Sequence, residues 1–130
     1  MNAPRPCVLD ASAVLALFER EPGWQQVAAR LNGSAISTVN WSEIVQKNLD
    51  RGTPLDISRA WAASNGIEVV EFTRQDAELA AALERRTRAS GLSLGDRACL
   101  ALAQRMRRTA LTADGRWAHL KLAPPVEFIR

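Results

Sequence analysis

Two aspartates close apolar runs in this chain. Asp10 follows Cys7-Val-Leu, and Asp114 follows Ala110-Leu-Thr-Ala. Both runs read as buried strands, and the carboxyl edge of an open parallel sheet is where such folds bind ligands. An unpaired carboxylate leaving a hydrophobic strand is costly to desolvate, and a cation is the simplest compensation. Glu43 and Asp96 have a different setting, in the first turns of expected helices. Asn40-Trp-Ser-Glu43 and Ser93-Leu-Gly-Asp96 both fit the spacing of a capping box, and the helix dipole favours a carboxylate there. Capping alone explains either one. Two of them together with two strand-end aspartates point to a shared cluster. Mg²⁺ and Mn²⁺ take hard oxygen ligands, and such ions activate water and steady the leaving oxygen of a phosphodiester. A lone carboxylate binds Mg²⁺ weakly, so acids from separate segments have to converge. Their mutual repulsion is then relieved by the ion.

The neighbours of these acids carry two readings each. Ser12 and Thr112 place hydroxyls two residues from the strand-end acids. They fix a carboxylate or a water of the site, or they serve ordinary turn chemistry. Asn40 hydrogen-bonds within the site or caps its helix. Arg97 adjoins Asp96 in a stretch that also holds Arg85, Arg86, Arg88, Arg105, Arg107 and Arg108 against Glu84 and Asp96 alone. That stretch is an electrostatic track for a phosphate backbone or a solvated helical surface. Trp24, Trp41, Trp61 and Trp117 either stack on bases or pack a helical face. Trp41 and Trp117 flank the acids in sequence.

Several classes of function are disfavoured. With 130 residues the chain is sized for one domain, taken as residues 1–130. Its net charge of +3 is mild evidence for an anionic partner. No run approaches the roughly 20 apolar residues of a membrane span. The N-terminus lacks a secretory core, so a cytoplasmic location is expected. Cys7 and Cys99 have no Cys or His partner nearby and read as buried thiols, not as a zinc site. His119 is the sole histidine, which leaves a catalytic His dyad or triad without support.

Short apolar runs alternate with amphipathic segments, the pattern of an α/β domain with a mostly parallel sheet. Strands are expected at 7–9, 35–37, 67–72 and 109–112, with an edge strand at 126–129 after Pro124-Pro125. Helices are expected at 11–20, 24–31, 39–49, 55–63, 73–89 and 94–106. Thr73 with Asp76 forms a capping box, and Gly33 and Gly91 act as stops. Crossovers of one hand put helices on both faces of the sheet.

Four segments together resemble the PIN-domain ribonucleases, and among them the VapC-like toxins of prokaryotic toxin–antitoxin pairs. They are Val8-Leu-Asp10-Ala-Ser12-Ala-Val-Leu-Ala-Leu, Ile36-Ser-Thr-Val-Asn-Trp-Ser-Glu43-Ile-Val, Gly91-Leu-Ser-Leu-Gly-Asp96-Arg-Ala-Cys-Leu-Ala-Leu-Ala and Leu111-Thr-Ala-Asp114-Gly-Arg-Trp117. The third is the most specific string, and the likeness spans nearly the whole chain. It implies a three-layer α/β/α sandwich around about five strands. It also implies Mg²⁺- or Mn²⁺-dependent cleavage of RNA by a metal-activated water, with Asp10, Glu43, Asp96 and Asp114 as catalytic acids and metal ligands. A homodimer is implied too, with a small VapB-like antitoxin that inserts a segment near the acids. Gly115 departs from many relatives, which carry a larger residue after the fourth aspartate.

Two rival readings have distinct signatures. A receiver-type phosphoryl-transfer domain also gathers acids at strand ends, but it needs an aspartate ending a central strand, and the third strand here ends in Glu71-Phe72. A non-catalytic binding module has no need of all four acids.

Overall fold

Each strand is only two or three residues long, too short to stand without parallel neighbours. β1 (Val8–Leu9), β2 (Ala35–Ser37), β3 (Glu68–Val70), β4 (Ala110–Thr112) and β5 (Val126–Phe128) form one sheet in the order β3-β2-β1-β4-β5. All four pairings are parallel. This computed structural model describes residues 5–117, 120–122 and 125–130. The expectations resting on the first four residues, on His119 and on Pro124 lie outside the described residues.

The connections are helical: α1 (Ala11–Phe18), α2 (Trp24–Ala28), α3 (Thr38–Asp50), α4 (Leu55–Ser64), α5 (Arg74–Thr87) and α6 (Leu94–Met106). Alternation along the strands splits the core into two layers. Leu9, Ile36 and Leu111 join Val14, Val27, Ile44 and Ala62 on one face. Val8, Ala35 and Ala110 join Leu83, Leu100 and Leu102 of α5 and α6 on the other. The α/β/α sandwich expected from the sequence is therefore present. No helix among the described residues is long and apolar enough to cross a membrane.

The boundaries follow local chemistry. Thr73 and Asp76 exchange both capping-box hydrogen bonds, and so do Ser93 and Asp96. α5 runs into a 3₁₀ turn (Arg88–Ser90) that Gly91 closes at φ 67°, in the left-handed region that glycine adopts without strain. α2 is shorter than expected, because the chain turns after Ala28 and Leu31 is drawn into the core. β3 is shorter too, since it pairs only with the three residues of β2. α3 starts earlier than its apolar spacing indicates. Ser37 is its cap, accepting the Val39 N–H at 3.3 Å, so Asn40 lies inside the helix and does not cap it. Cys7 and Cys99 are buried free thiols, as expected.

Candidate active site

The strand order reverses around β1, and Asp10 leaves the carboxyl end of that strand. Asp114 emerges two residues beyond the adjacent β4. The start of α6 brings in Asp96, and the second turn of α3 brings in Glu43. All four carboxylates line one cleft of about 330 Å³, together with Ser12, Gln46, Lys47 and Asp50.

Asp10 is the most deeply buried of the four, at 3% exposure. Ser12 Oγ donates to its Oδ2 at 2.5 Å, and Thr112 Oγ1 donates to the same oxygen at 3.1 Å. These hydroxyls are themselves fixed by backbone. Ala113 N–H donates to Ser12 Oγ, and Asp114 N–H donates to Thr112 Oγ1, both at 3.0 Å. Burial pushes the Asp10 carboxyl up to about 7; the two hydroxyls oppose the shift, and the charges of Asp96 and Glu43 add to it. The side chain thus carries a desolvation cost that a bound cation would offset.

Glu43 is held by Asn40, which is fully buried. Asn40 Nδ2 donates to Glu43 Oε1 at 3.0 Å and to the Gly95 carbonyl at 2.9 Å, tying α3 to α6. Its Oδ1 is buried without a hydrogen-bond partner among the described residues. Partial burial raises the Glu43 pKa, the Asn40 hydrogen bond opposes this, and the Asp96 charge adds to it. Gly95 makes room for this carboxylate: a Cβ there would stand 2.7 Å and 2.9 Å from its two oxygens.

Asp96 does two things at once. Its Oδ2 accepts the Ser93 N–H at 2.8 Å, completing the cap, while the side chain lines the cleft. Asp114 is gripped by Arg116, whose Nε and Nη2 lie 2.9 Å and 2.5 Å from Oδ2. That guanidinium holds the Asp114 carboxyl below its ordinary range.

The structure therefore brings the four acids to one cleft and sets Ser12, Thr112 and Asn40 against two of them. Arg97 has a different neighbour, donating from Nη1 to the Ala80 carbonyl of α5 at 2.9 Å. Among the tryptophans, Trp117 is fully buried, Trp41 and Trp61 pack against the core, and Trp24 lies under the Arg20 guanidinium. Sequence reasoning passed over Gly95, Arg116 and the stripe Gln46, Lys47 and Asp50. The stripe was legible, because those positions follow Glu43 at intervals of three, four and seven, one helical face.

The donor set is what a hard divalent cation requires: carboxylate oxygens from four separate segments. Among the described residues, however, no three acidic, histidine or cysteine side chains form a group that could hold a metal ion as they stand.

Comparison with known proteins agrees with this architecture. A family model described as "PIN domain" matches residues 7–122. Among solved structures, a toxin–antitoxin complex from Klebsiella pneumoniae superposes with a TM-score of 0.73 at 23% identity, over 93% of this chain and 96% of that one. At that identity the likeness speaks for the fold. No curated protein sequence matches the chain.

Proposed function

Because the chain belongs to the PIN domain family, we propose that it is a divalent-metal-dependent endoribonuclease and the toxin of a toxin–antitoxin pair. The convergence of Asp10, Glu43, Asp96 and Asp114 on one cleft carries this reading. These four carboxylates would hold Mg²⁺ or Mn²⁺, Asp10 and Asp96 foremost. Such an ion lowers the pKa of a water and neutralises charge developing on a phosphodiester. The protein's own groups do the positioning. Ser12 and Thr112 fix Asp10, Asn40 fixes Glu43, and Glu43 orients the attacking water. Lys47 lines the cleft with positive charge beside the acids, and the arginines of α5 and α6 draw in the RNA backbone. The toxin–antitoxin neighbour supports a VapB-like antitoxin as partner, and the family resemblance supports a homodimer working in the cytoplasm.

Two experiments test this reading. RNA cleavage is expected to vanish in EDTA and to return when Mg²⁺ or Mn²⁺ is added in excess. Cleavage that persists in EDTA after extensive dialysis would reject metal dependence, and absence of cleavage under every metal would favour a binding module. The second is Gly95→Ala. The three atoms nearest the added methyl all belong to the far end of the flexible Glu43 side chain, and alanine suits a helix better than glycine by about 0.5–1 kcal/mol. Thermal stability is expected to hold or rise. Cleavage is expected to fall about ten- to a hundredfold, since small displacements of a positioned group are costly. Undiminished cleavage would remove Glu43 from the site.

A further inference from the structure

Arg116 reaches across the cleft wall from the 3₁₀ turn Gly115–Trp117. One of its nitrogens, Nη2, lies 2.5 Å from Asp114 Oδ2 and 3.3 Å from Asp96 Oδ2. Nε adds contacts of 3.1 Å and 2.9 Å to the two Asp114 oxygens, and Nη1 donates to the Gly91 carbonyl at 2.8 Å. A single cationic group thus bridges two of the four acids. A divalent ion shared by the same two oxygens needs that space, since Mg²⁺ takes its ligands at about 2.0–2.1 Å. The base of the side chain is set by the turn, and the guanidinium is held by these contacts alone. Trp117, the next residue, is fully buried and anchors the turn, while the Arg116 side chain is 52% exposed and has solvent to swing into.

We propose that Arg116 is an internal counter-cation of the acid cluster, one that occupies the Asp96–Asp114 gap in the metal-free protein and is expelled when a divalent ion enters. The inference rests on the metal-site reading above and adds an energetic threshold to it. The threshold lies inside the toxin chain and is independent of any antitoxin. Asp96 and Asp114 both present Oδ2 to the same guanidinium nitrogen.

Calorimetric titration of Mn²⁺ into the full-length protein tests this, using wild type, Arg116→Gln and, as a control for remote charge, Arg88→Gln. Arg88 is an exposed α5-side arginine paired with Glu84. At about 0.15 M KCl, charges farther apart than the screening length contribute little. Arg116→Gln is expected to bind Mn²⁺ about three- to tenfold more tightly than wild type, the scale of a partly exposed charged contact, and Arg88→Gln to match wild type. A second readout is the Arg116 Nε–Hε signal in a ¹⁵N spectrum, assigned by its loss in Arg116→Gln. Saturating Mg²⁺ is expected to move it to the position of solvent-exposed arginines. Binding by wild type with equal or weaker affinity in Arg116→Gln, or an unmoved signal under saturating Mg²⁺, overturns the competition while leaving the metal site intact. No Mn²⁺ binding by any variant overturns both readings.

Discussion

Asp10→Asn is expected to lower RNA cleavage by about a thousandfold, the equivalent of about 4 kcal/mol of transition-state stabilisation, while leaving the protein folded and at least as stable. The substitution is nearly isosteric, so Ser12 and Thr112 keep an acceptor. It also removes a carboxyl that burial has raised to about 7. That shift fixes a pH signature. Between the ordinary value of 3.8 and about 7, folded Asp10 holds its proton more often than unfolded Asp10. Stability from this group is therefore greatest below 3.8 and declines as pH rises to about 7. Glu43, raised in the same direction by burial, acts in the same sense. Asp76, where burial is outweighed by the Arg105 pair and the Thr73 hydrogen bonds together, and Asp114, paired with Arg116, act oppositely; their contribution is lost as pH falls below the ordinary carboxyl range. Metal-free wild type should thus melt lower at pH 8 than at pH 5, with a shallower slope for Asp10→Asn. Substantial cleavage by the variant would dismiss Asp10 from catalysis, and an unchanged slope would assign the pH dependence to other groups.

Trp117→Ala is expected to cost about 3–5 kcal/mol, the range for removing a fully buried aromatic. In a chain of this size that lowers the melting temperature by roughly 10–20 °C. Trp117 fills the layer shared by Val8, Leu102 and Ala110, and it roots the turn that carries Asp114 and Arg116. Metal-induced stabilisation should therefore shrink along with the melting temperature. Trp117→Phe keeps most of the buried volume and should retain most of both. Thermal melts with and without Mn²⁺ check this, and a loss of under about 1 kcal/mol for the alanine variant would contradict full burial.

The sequence carried the helices and strands wherever the signal was local. Thr73 with Asp76, Ser93 with Asp96 and the stop at Gly91 are contacts within one turn, and all three stand as expected. The start of α3 was misread for the same reason. The helix is expected from Val39 with Asn40 as a candidate cap, while the hydroxyl that begins it belongs to Ser37, the last residue of the strand. Four acids falling at strand ends and helix starts could be seen in one dimension. What holds them could not. The tie from Asn40 to the Gly95 carbonyl joins residues 55 positions apart, and Arg116 finds Asp96 across 20. Gly95 resembled a neutral helix residue, and only packing reveals whose carboxylate its missing side chain admits.

The bond from Thr112 to Asp10 spans 102 positions. The hydroxyl that clamps Asp10, the β4 strand beside it and two of its three acidic companions all lie far downstream of it, from Asp96 onward. A growing polypeptide therefore has no assembled acid cluster until that downstream segment has been made and has paired with β1. Any product that stops short of Asp96 lacks half of the carboxylates and the hydroxyl that clamps Asp10.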